Sequence, residues 1–318
     1  MAKKDTPEAP KGTSDSPVLV NSPSFPQRYY PLWLLLKGLS LLPFRVLYGL
    51  SSGLYLLSFY VIGYRKKVVY ANLRNSFPER TPAQIEALAK GFYRHLSDLV
   101  VEVLKLNTIS REELLRRVRF RNPELVQEQV EQGRPVILMG GHLANWEWLT
   151  AAVSAFFPYA AEGIYKPLSN EFFESYLLRM RSRFGALMVK TKETLREFIR
   201  RKQVPRLIGM LSDQTPPGGE VQYWADFLNQ DTPFFVGVDK LAPSFHYAVI
   251  FLGFRRVRRG YYECTFEPLY DGVEALDQSS YPLTETFARH LEAWIKAYPA
   301  DYLWSHRRWK NKRPKADE

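Results

Sequence analysis

A strand and a helix meet in the segment Val136-Ile137-Leu138-Met139-Gly140-Gly141-His142-Leu143-Ala144-Asn145-Trp146-Glu147. The apolar run predicts a buried strand over residues 135–139, and the residues after it predict a turn into a helix over Trp146–Phe156. On one straight helix, a step of five residues turns the side chains by about 140° beyond a full turn, so His142 and Glu147 would point apart. The two glycines permit a bent junction instead. We therefore expect His142 in the bend and Glu147 in the first helical turn.

These two side chains suit general-base chemistry at a hydroxyl. The ordinary pKa of a histidine lies close to neutral pH, so an imidazole can accept the proton. A carboxylate beside the ring fixes its tautomer and stabilises the imidazolium. We interpret His142 as the base and Glu147 as its partner.

Strand and helix patterns alternate along the rest of the chain. A capping box at Thr81 predicts a helix that ends at about Leu106. The other predicted elements are helices at residues 112–118, 123–132, 169–184, 194–202 and 281–298, strands at 162–165, 186–190 and 206–211, and a hairpin of strands 247–254 and 261–267. Strands that alternate with helices, with one late hairpin, predict an α/β fold in which a mixed sheet is flanked by helices.

The composition of the 318 residues limits the class of protein. The length allows one large α/β domain with an appendage. Forty-four basic residues against 33 acidic ones give a formal charge of +11, which indicates an acidic partner such as nucleic acid, an anionic lipid or an acidic protein. The single cysteine, Cys264, excludes an intrachain disulfide, and the five histidines show no metal-ligand spacing. No metal is implied, and no helix-turn-helix or zinc-finger pattern supports nucleic-acid binding.

The amino-terminal residues differ from the rest. Residues 1–28 are polar and predict a disordered tail, whereas residues 29–64 are apolar and predict a membrane-anchoring helical segment before a domain over residues 65–318. Residues 46–64 carry no charge and as a helix would reach about 28 Å, close to the thickness of a bilayer core. The basic run Arg65-Lys66-Lys67 places the following domain on the cytoplasmic side. We favour membrane attachment over a pair of buried core helices, and both a spanning and a half-immersed segment remain open.

Further polar groups follow two other predicted strands. Asp213 and Gln214 follow one strand, Lys166 follows another, and the next helix carries Arg179 and Arg181. In sheets of this type, ligands bind at the carboxyl ends of the strands. A base, a carboxylate, cations and an amide at one edge suit transfer of an acyl group to a hydroxyl, with the cations binding phosphate or supporting charge. A solvated helix face for Arg179 and a turn or cap for Asp213 are the alternatives.

Several motifs lie outside the histidine segment: Asn72-Leu73, Phe77-Pro78-Glu79, Tyr165-Lys166-Pro167, Arg179-Met180-Arg181-Ser182, Asp213-Gln214 and Tyr302-Leu303-Trp304-Ser305-His306-Arg307-Arg308-Trp309-Lys310. With the spacing of a histidine, four residues and an acidic residue, the chain resembles the late acyltransferases of lipid A biosynthesis. This is the lauroyl/myristoyl transferase family of Gram-negative inner membranes, within the lysophospholipid acyltransferase group. The resemblance covers nearly everything after about Tyr29.

The resemblance implies a glycerol-phosphate acyltransferase-like sheet with His142 as general base and Glu147 as its partner. The residues expected to bind substrate are Lys166, Arg179, Arg181, Asp213 and Gln214. Lys166 stands where the family has an arginine, so the charge is kept but the bidentate fork is lost. The loop Pro216-Pro217-Gly218-Gly219 also departs from the family pattern.

The predicted function is a membrane-bound acyltransferase without a cofactor, whose domain over residues 65–318 faces the cytoplasm at the inner membrane. It moves a fatty acyl chain from acyl carrier protein or coenzyme A to a hydroxyl of a lipid A precursor. Arg255-Arg256-Val257-Arg258-Arg259 and residues 307–313 are candidates for binding the acidic carrier, lipid phosphates or the anionic leaflet. The alternatives are another acceptor (a lysophospholipid, a phosphatidylinositol mannoside or an acylated amino-acid lipid) and a non-catalytic lipid-binding protein.

Overall fold

The computed structural model describes residues 26–277 and 279–314. Residues 1–25 of the predicted disordered tail lie outside this part of the chain. The described chain starts at Pro26 and forms a short 3-10 helix over Gln27–Tyr29. The predicted boundaries at residues 28 and 64 stay predictions.

Nine strands in this part of the chain form two sheets. In chain order they are β1 (Val118–Phe120), β2 (Val136–Gly140), β3 (Ala160–Tyr165), β4 (Leu187–Lys190), β5 (Arg206–Leu211), β6 (Tyr223–Asp226), β7 (Asp231–Phe234), β8 (Ala248–Arg258) and β9 (Tyr261–Tyr270). Seven of them form one sheet in the order β1-β9-β8-β2-β5-β3-β4, and β6 pairs with β7 alone. Neighbours in the large sheet are parallel except the β8–β9 hairpin. The mixed sheet predicted from the sequence is confirmed.

Eleven α-helices accompany these strands in the described residues. They are α1 (Tyr30–Leu41), α2 (Phe44–Leu56), α3 (Lys66–Ser76), α4 (Pro82–Lys105), α5 (Arg111–Arg117), α6 (Glu124–Glu131), α7 (Trp146–Phe156), α8 (Glu171–Arg181), α9 (Thr194–Arg200), α10 (Gly237–Phe245) and α11 (Pro282–Ala297). The predicted capping box opens α4: Thr81 accepts from the backbone N–H of Gln84, and the Gln84 side chain accepts from that of Thr81. The predicted α7 and β5 agree with the structure to the residue.

The β8–β9 hairpin is longer than predicted. Most of the arginine run predicted as a connecting turn belongs to β8, which continues to Arg258. It does so because its side chains are paired: Arg255 Nη2 donates to Glu263 on β9 at 2.7 Å. Likewise, Arg259 Nη2 donates to Asp98 on α4 at 2.6 Å. Arg255 and Arg259, which belong to the run expected to bind acidic partners, are thus neutralised by carboxylates within the protein.

The strand β2 lies in the middle of the core, between β8 and β5, and all five of its residues are buried. Strands buried on both faces are typical of parallel sheets covered by helices. The carboxyl end of β2 is therefore held rigidly in the sheet, and the chain leaves it directly into the histidine segment.

The apolar amino-terminal segment forms two helices on the outside of α4. The helix α2 continues as a π-helix over Leu57–Ile62. By length and composition, Phe44–Ile62 is the one helix among the described residues that could cross a membrane, with a mean hydropathy of 1.3 and 22% of its most apolar window buried.

Candidate active site

The ends of β2 and β5 bring two predicted site residues together. Gly140 pairs with Leu211 in the parallel register, and the backbone N–H of Ser212 donates to the carbonyl of Gly140 at 3.0 Å. His142 and Asp213 lie just beyond these positions. Because parallel strands end at the same edge of a sheet, the two side chains meet.

The carboxylate of Asp213 binds His142 twice. Its Oδ1 lies 2.6 Å from Nδ1 of the ring, and its Oδ2 accepts from the backbone N–H of His142 at 3.0 Å. An ionised carboxylate only accepts hydrogen bonds, so Nδ1 carries the proton and Nε2 keeps its lone pair. The side-chain amide of Gln214 lies 3.2 Å from Nε2, where its N–H can donate to that lone pair. The acceptor nitrogen of the ring is therefore Nε2.

Asp213 is ionised although it is only 2% exposed. Burial by itself raises the pKa of the carboxyl. The charge of His142, two hydrogen bonds from His142 and the charge of Arg308 act in the opposite direction and together hold the pKa below its ordinary value. The carboxylate is thus suited to stabilise an imidazolium next to it.

The turn that carries His142 is tight and its shape has a specific cause. Leu143 N–H donates to the carbonyl of Gly141 at 2.7 Å, and Ala144, with a φ of +47°, donates to the carbonyl of Asp301 at 2.8 Å. A Cβ atom on Gly141 would lie 2.6 Å from a methyl group of Leu291. A side chain at 141 would therefore displace the buried Leu291, and the left-handed residue of this turn is Ala144 rather than a glycine.

Glu147 is not hydrogen-bonded to His142, which corrects the expected pairing. Its two carboxylate oxygens accept from Nε and Nη2 of Arg181 at 2.7 and 2.6 Å. The physical reason is that the first turn of α7 lies against α8, which carries Arg181, whereas Nδ1 of His142 points toward the end of β5. Local spacing predicted a partner five residues away along the chain, and the neighbouring strand supplies one 71 residues away.

The charge of Glu147 still acts on the histidine. Burial raises the pKa of this carboxyl, but the charge and hydrogen bonds of Arg181, followed by the charge of His142, hold it below the ordinary value. Glu147 is therefore an ionised carboxylate within electrostatic range of the ring, although its hydrogen bonds belong to Arg181.

The two remaining predicted cations lie elsewhere on the surface. Lys166 is exposed after β3, which is separated from β2 by β5. Arg179 is exposed on α8, with its guanidinium carbon 5.5 Å from the ring centre of Trp33 on α1. Among residues 26–277 and 279–314, no hydrogen bond or ion pair joins Lys166 or Arg179 to His142. The same residues contain no group of three or more acidic, histidine or cysteine side chains that could hold a metal ion.

A buried polar cluster that the sequence pattern does not reveal lies beneath the histidine segment. Asn145 caps α7 by accepting from Trp148 N–H at 3.0 Å and donates to Glu102 at 2.6 Å. Glu102 also accepts from the hydroxyls of Tyr48 and Tyr262, at 2.8 and 2.6 Å. An asparagine before a helix is a recognisable cap, but nothing in the sequence marks Glu102, because its partners come from three distant elements.

The Glu102 cluster predicts a pH-dependent stability. Burial raises the pKa of Glu102 from 4.5 to about 7 despite three hydrogen bonds that favour the charged form. Between these pH values the folded protein holds a proton that the unfolded chain releases, so the wild type loses stability from this group as pH rises. At about 1.4 kcal/mol per pKa unit this amounts to about 3 kcal/mol. We expect the free energy of unfolding of Glu102→Gln, relative to wild type, to rise by that amount between pH 4.5 and pH 8.

Denaturant titrations of both proteins at several pH values in one detergent measure this difference. Other titrating groups, such as the buried His95 with its pKa lowered to about 3, are common to both proteins and cancel. A difference that does not change with pH would contradict the prediction.

The carboxyl-terminal motif, residues 302–310, packs against the segments that carry His142 and Asp213. Leu143 forms a β-bridge with Tyr302, and Thr215 donates to the carbonyl of Arg308 at 2.7 Å. Arg308 is only 1% exposed and donates to the carbonyl of Pro233 at 2.7 Å. The tail 307–313 was expected to be a charged surface. Arg308 is instead a buried cation whose charge lowers the pKa of Asp213.

Comparison with known proteins identifies the family of this chain. The family model for bacterial lipid A biosynthesis acyltransferases matches residues 23–311. The lipid A biosynthesis acyltransferase of Haemophilus influenzae is 22% identical over 285 residues, which cover 87% of this chain and 86% of the relative. The resemblance found in the sequence is confirmed: the chain belongs to the bacterial lipid A biosynthesis acyltransferases and is an acyltransferase enzyme.

Proposed function

We propose that this enzyme transfers a fatty acyl chain from an acyl thioester to a hydroxyl of a lipid A precursor, with Nε2 of His142 as the general base. The observation that carries the proposal is the 2.6 Å contact between Nδ1 of His142 and Asp213. It fixes the tautomer in which Nε2 can accept a proton. The donor is carried on acyl carrier protein or on coenzyme A.

The reaction is a single displacement. Nε2 takes the proton of the acceptor hydroxyl as its oxygen attacks the thioester carbonyl, and the tetrahedral intermediate then loses the thiolate, which the imidazolium protonates. A new ester bond forms and the C–S bond breaks. The amide of Gln214 leaves Nε2 when the hydroxyl arrives, since both occupy the same lone pair.

Two carboxylates support the positive charge that develops on the ring. Asp213 does so through a direct hydrogen bond, and Glu147 does so through its charge alone, while it holds Arg181 in place. Arg181 is partly exposed beside Glu147 and is a candidate to bind a phosphate or the oxyanion. Lys166 and Arg179 are exposed cations that suit phosphate groups further from the reacting atoms.

We place the enzyme at the inner membrane with its catalytic domain on the cytoplasmic side. The support is the apolar helix Phe44–Ile62, which Arg65-Lys66-Lys67 follow after two residues. Basic residues next to an apolar segment favour the cytoplasmic side.

Mass spectrometry of lipid A tests the proposed function. Lipid A from cells that lack this protein is expected to have lost one fatty acyl group, and the wild-type protein is expected to restore it. The mass difference also identifies the chain length. Intact lipid A with changed minor lipids would contradict the proposed acceptor and favour a different lipid hydroxyl.

A further inference from the structure

Both ends of the apolar helix are bound to the same partner helix. Lys105, at the end of α4, donates from Nζ to the carbonyls of Ser40 and Leu42, just before α2, at 2.8 and 2.9 Å. Tyr93, more than three turns earlier on α4, donates from its hydroxyl to the carbonyl of Tyr64 at 2.5 Å. The segment therefore lies along the side of α4 over its whole length, and the chain before it and the chain after it meet the same domain.

Charged groups touch the middle of this segment. Ser51, near the midpoint of residues 44–62, donates to the buried carboxylate of Asp98 at 2.6 Å. Arg259, at the tip of the β8–β9 hairpin, donates to the carbonyl of Tyr48 at 2.9 Å. If residues 44–62 crossed a bilayer in this packing, Asp98 and Arg259 would lie near its centre, where ionised groups are strongly disfavoured.

The opposite flank of the segment is apolar. Its outer stripe consists of Val46, Leu50, Leu54, Leu57 and Val61, with exposed fractions from 38 to 76%. The helix α1 adds further exposed leucines at Leu32, Leu34, Leu35 and Leu41. Basic residues flank the apolar segment 44–62: Arg45 lies in its first turn, and Arg65, Lys66 and Lys67 follow its end, while Lys37 lies within α1. A one-sided apolar face with basic ends is the pattern of a helix that lies in the interface of an anionic membrane.

We infer that residues 44–62 do not cross the bilayer but lie half-immersed in the surface of one anionic leaflet, with their outer stripe among the lipid tails. Both termini of the chain are then on the same side of the membrane. The inference rests on the membrane attachment included in the proposed function, and it decides between the two modes of attachment that the sequence left open.

Cysteine labelling tests which side each terminus occupies. The variants Ser14→Cys and Ala316→Cys are made separately in the full chain, and a membrane-impermeant maleimide is applied to intact spheroplasts and to inverted inner-membrane vesicles. Labelling in detergent defines complete reaction. The wild type is the matched control, because its one cysteine, Cys264, is buried. We expect both positions to react in inverted vesicles and neither to react in spheroplasts.

Labelling of the two positions from opposite faces would overturn the inference and leave the proposed chemistry untouched. Recovery of the protein in the soluble fraction would overturn both the attachment and this orientation.

Substitution of the outer stripe tests the docking surface itself. Leu50→Glu and Leu54→Glu are each expected to lower partitioning of the purified protein into anionic vesicles about tenfold or more, since each removes a leucine from lipid. Val273→Glu, at an apolar side chain 68% exposed on another part of the surface, is expected to bind as the wild type does. Equal binding by all three variants would contradict the assignment of this stripe to the membrane.

Discussion

His142→Ala is expected to abolish measurable acyl transfer while the protein stays folded and bound to membranes. General-base assistance contributes about 10²–10⁴-fold to rate, and Nε2 of this ring is the proposed base. The measurement is kcat of the purified variant in mixed micelles with an acyl thioester and a lipid A precursor. A melting curve and a vesicle-binding assay confirm folding and attachment.

The matched control for this substitution is His290→Ala. His290 lies on α11, where its Nδ1 contacts the carbonyl of Thr286 at 2.9 Å and its Nε2 lies 3.3 Å from Glu267, outside the His142–Asp213 pair. Its loss is expected to leave kcat close to the wild-type value. A purified His142→Ala enzyme with near-normal turnover would defeat the proposed mechanism.

Asp213→Asn is expected to lower kcat by about 10³–10⁴-fold with little change in fold, by analogy with the serine-protease aspartate whose conversion to asparagine fixes the wrong histidine tautomer. An asparagine can turn its N–H toward Nδ1, which moves the ring proton to Nε2 and removes the base. It also removes the negative charge that supports the imidazolium. The measurement is kcat over a range of pH, together with a melting curve.

Glu147→Gln is the comparison that separates the two carboxylates. In this variant Asp213, the partner of Nδ1 of His142, is intact, so the expected loss of kcat is smaller than that of Asp213→Asn. Its stability is expected to fall by about 3–5 kcal/mol, because Arg181 is left largely buried without its counter-charge. Adding Arg181→Met should recover much of that stability. A kcat lower for Glu147→Gln than for Asp213→Asn would restore Glu147 as the direct partner of the base.

The sequence alone predicts those elements whose formation depends on residues that are neighbours along the chain. The helix α7 and the strand β5 were predicted to the residue, because each is a largely apolar run bounded by turn or polar residues. The meeting of His142 with Asp213 and Gln214 was also foreseeable, since residues after neighbouring parallel strands share one edge. Three short strands, β1, β6 and β7, were not predicted, because three or four residues carry too little periodic pattern.

The contacts that were not foreseen are those set by packing between distant elements. Glu147 was assigned to His142 by spacing, but the neighbouring α8 supplies Arg181 and takes both carboxylate oxygens. Arg308 belongs to a run of basic residues and looks like surface charge, yet it is buried. Its side chain donates to the carbonyl of Pro233, and its own carbonyl accepts from Thr215. The side chains that donate hydrogen bonds to Glu102 come from α2, from the residue that caps α7 and from β9. Only the folded chain brings these elements together.

The pairing of β2 with β5 also affects how this enzyme loses activity when it is heated. The ring and its acid are carried by two central strands that hydrogen-bond to each other, so the two groups separate only when the middle of the sheet comes apart. Catalytic competence is thus tied to the most resistant part of the molecule. Inactivation and cooperative melting become a single event, and fraying of the outer helices leaves the reacting pair intact.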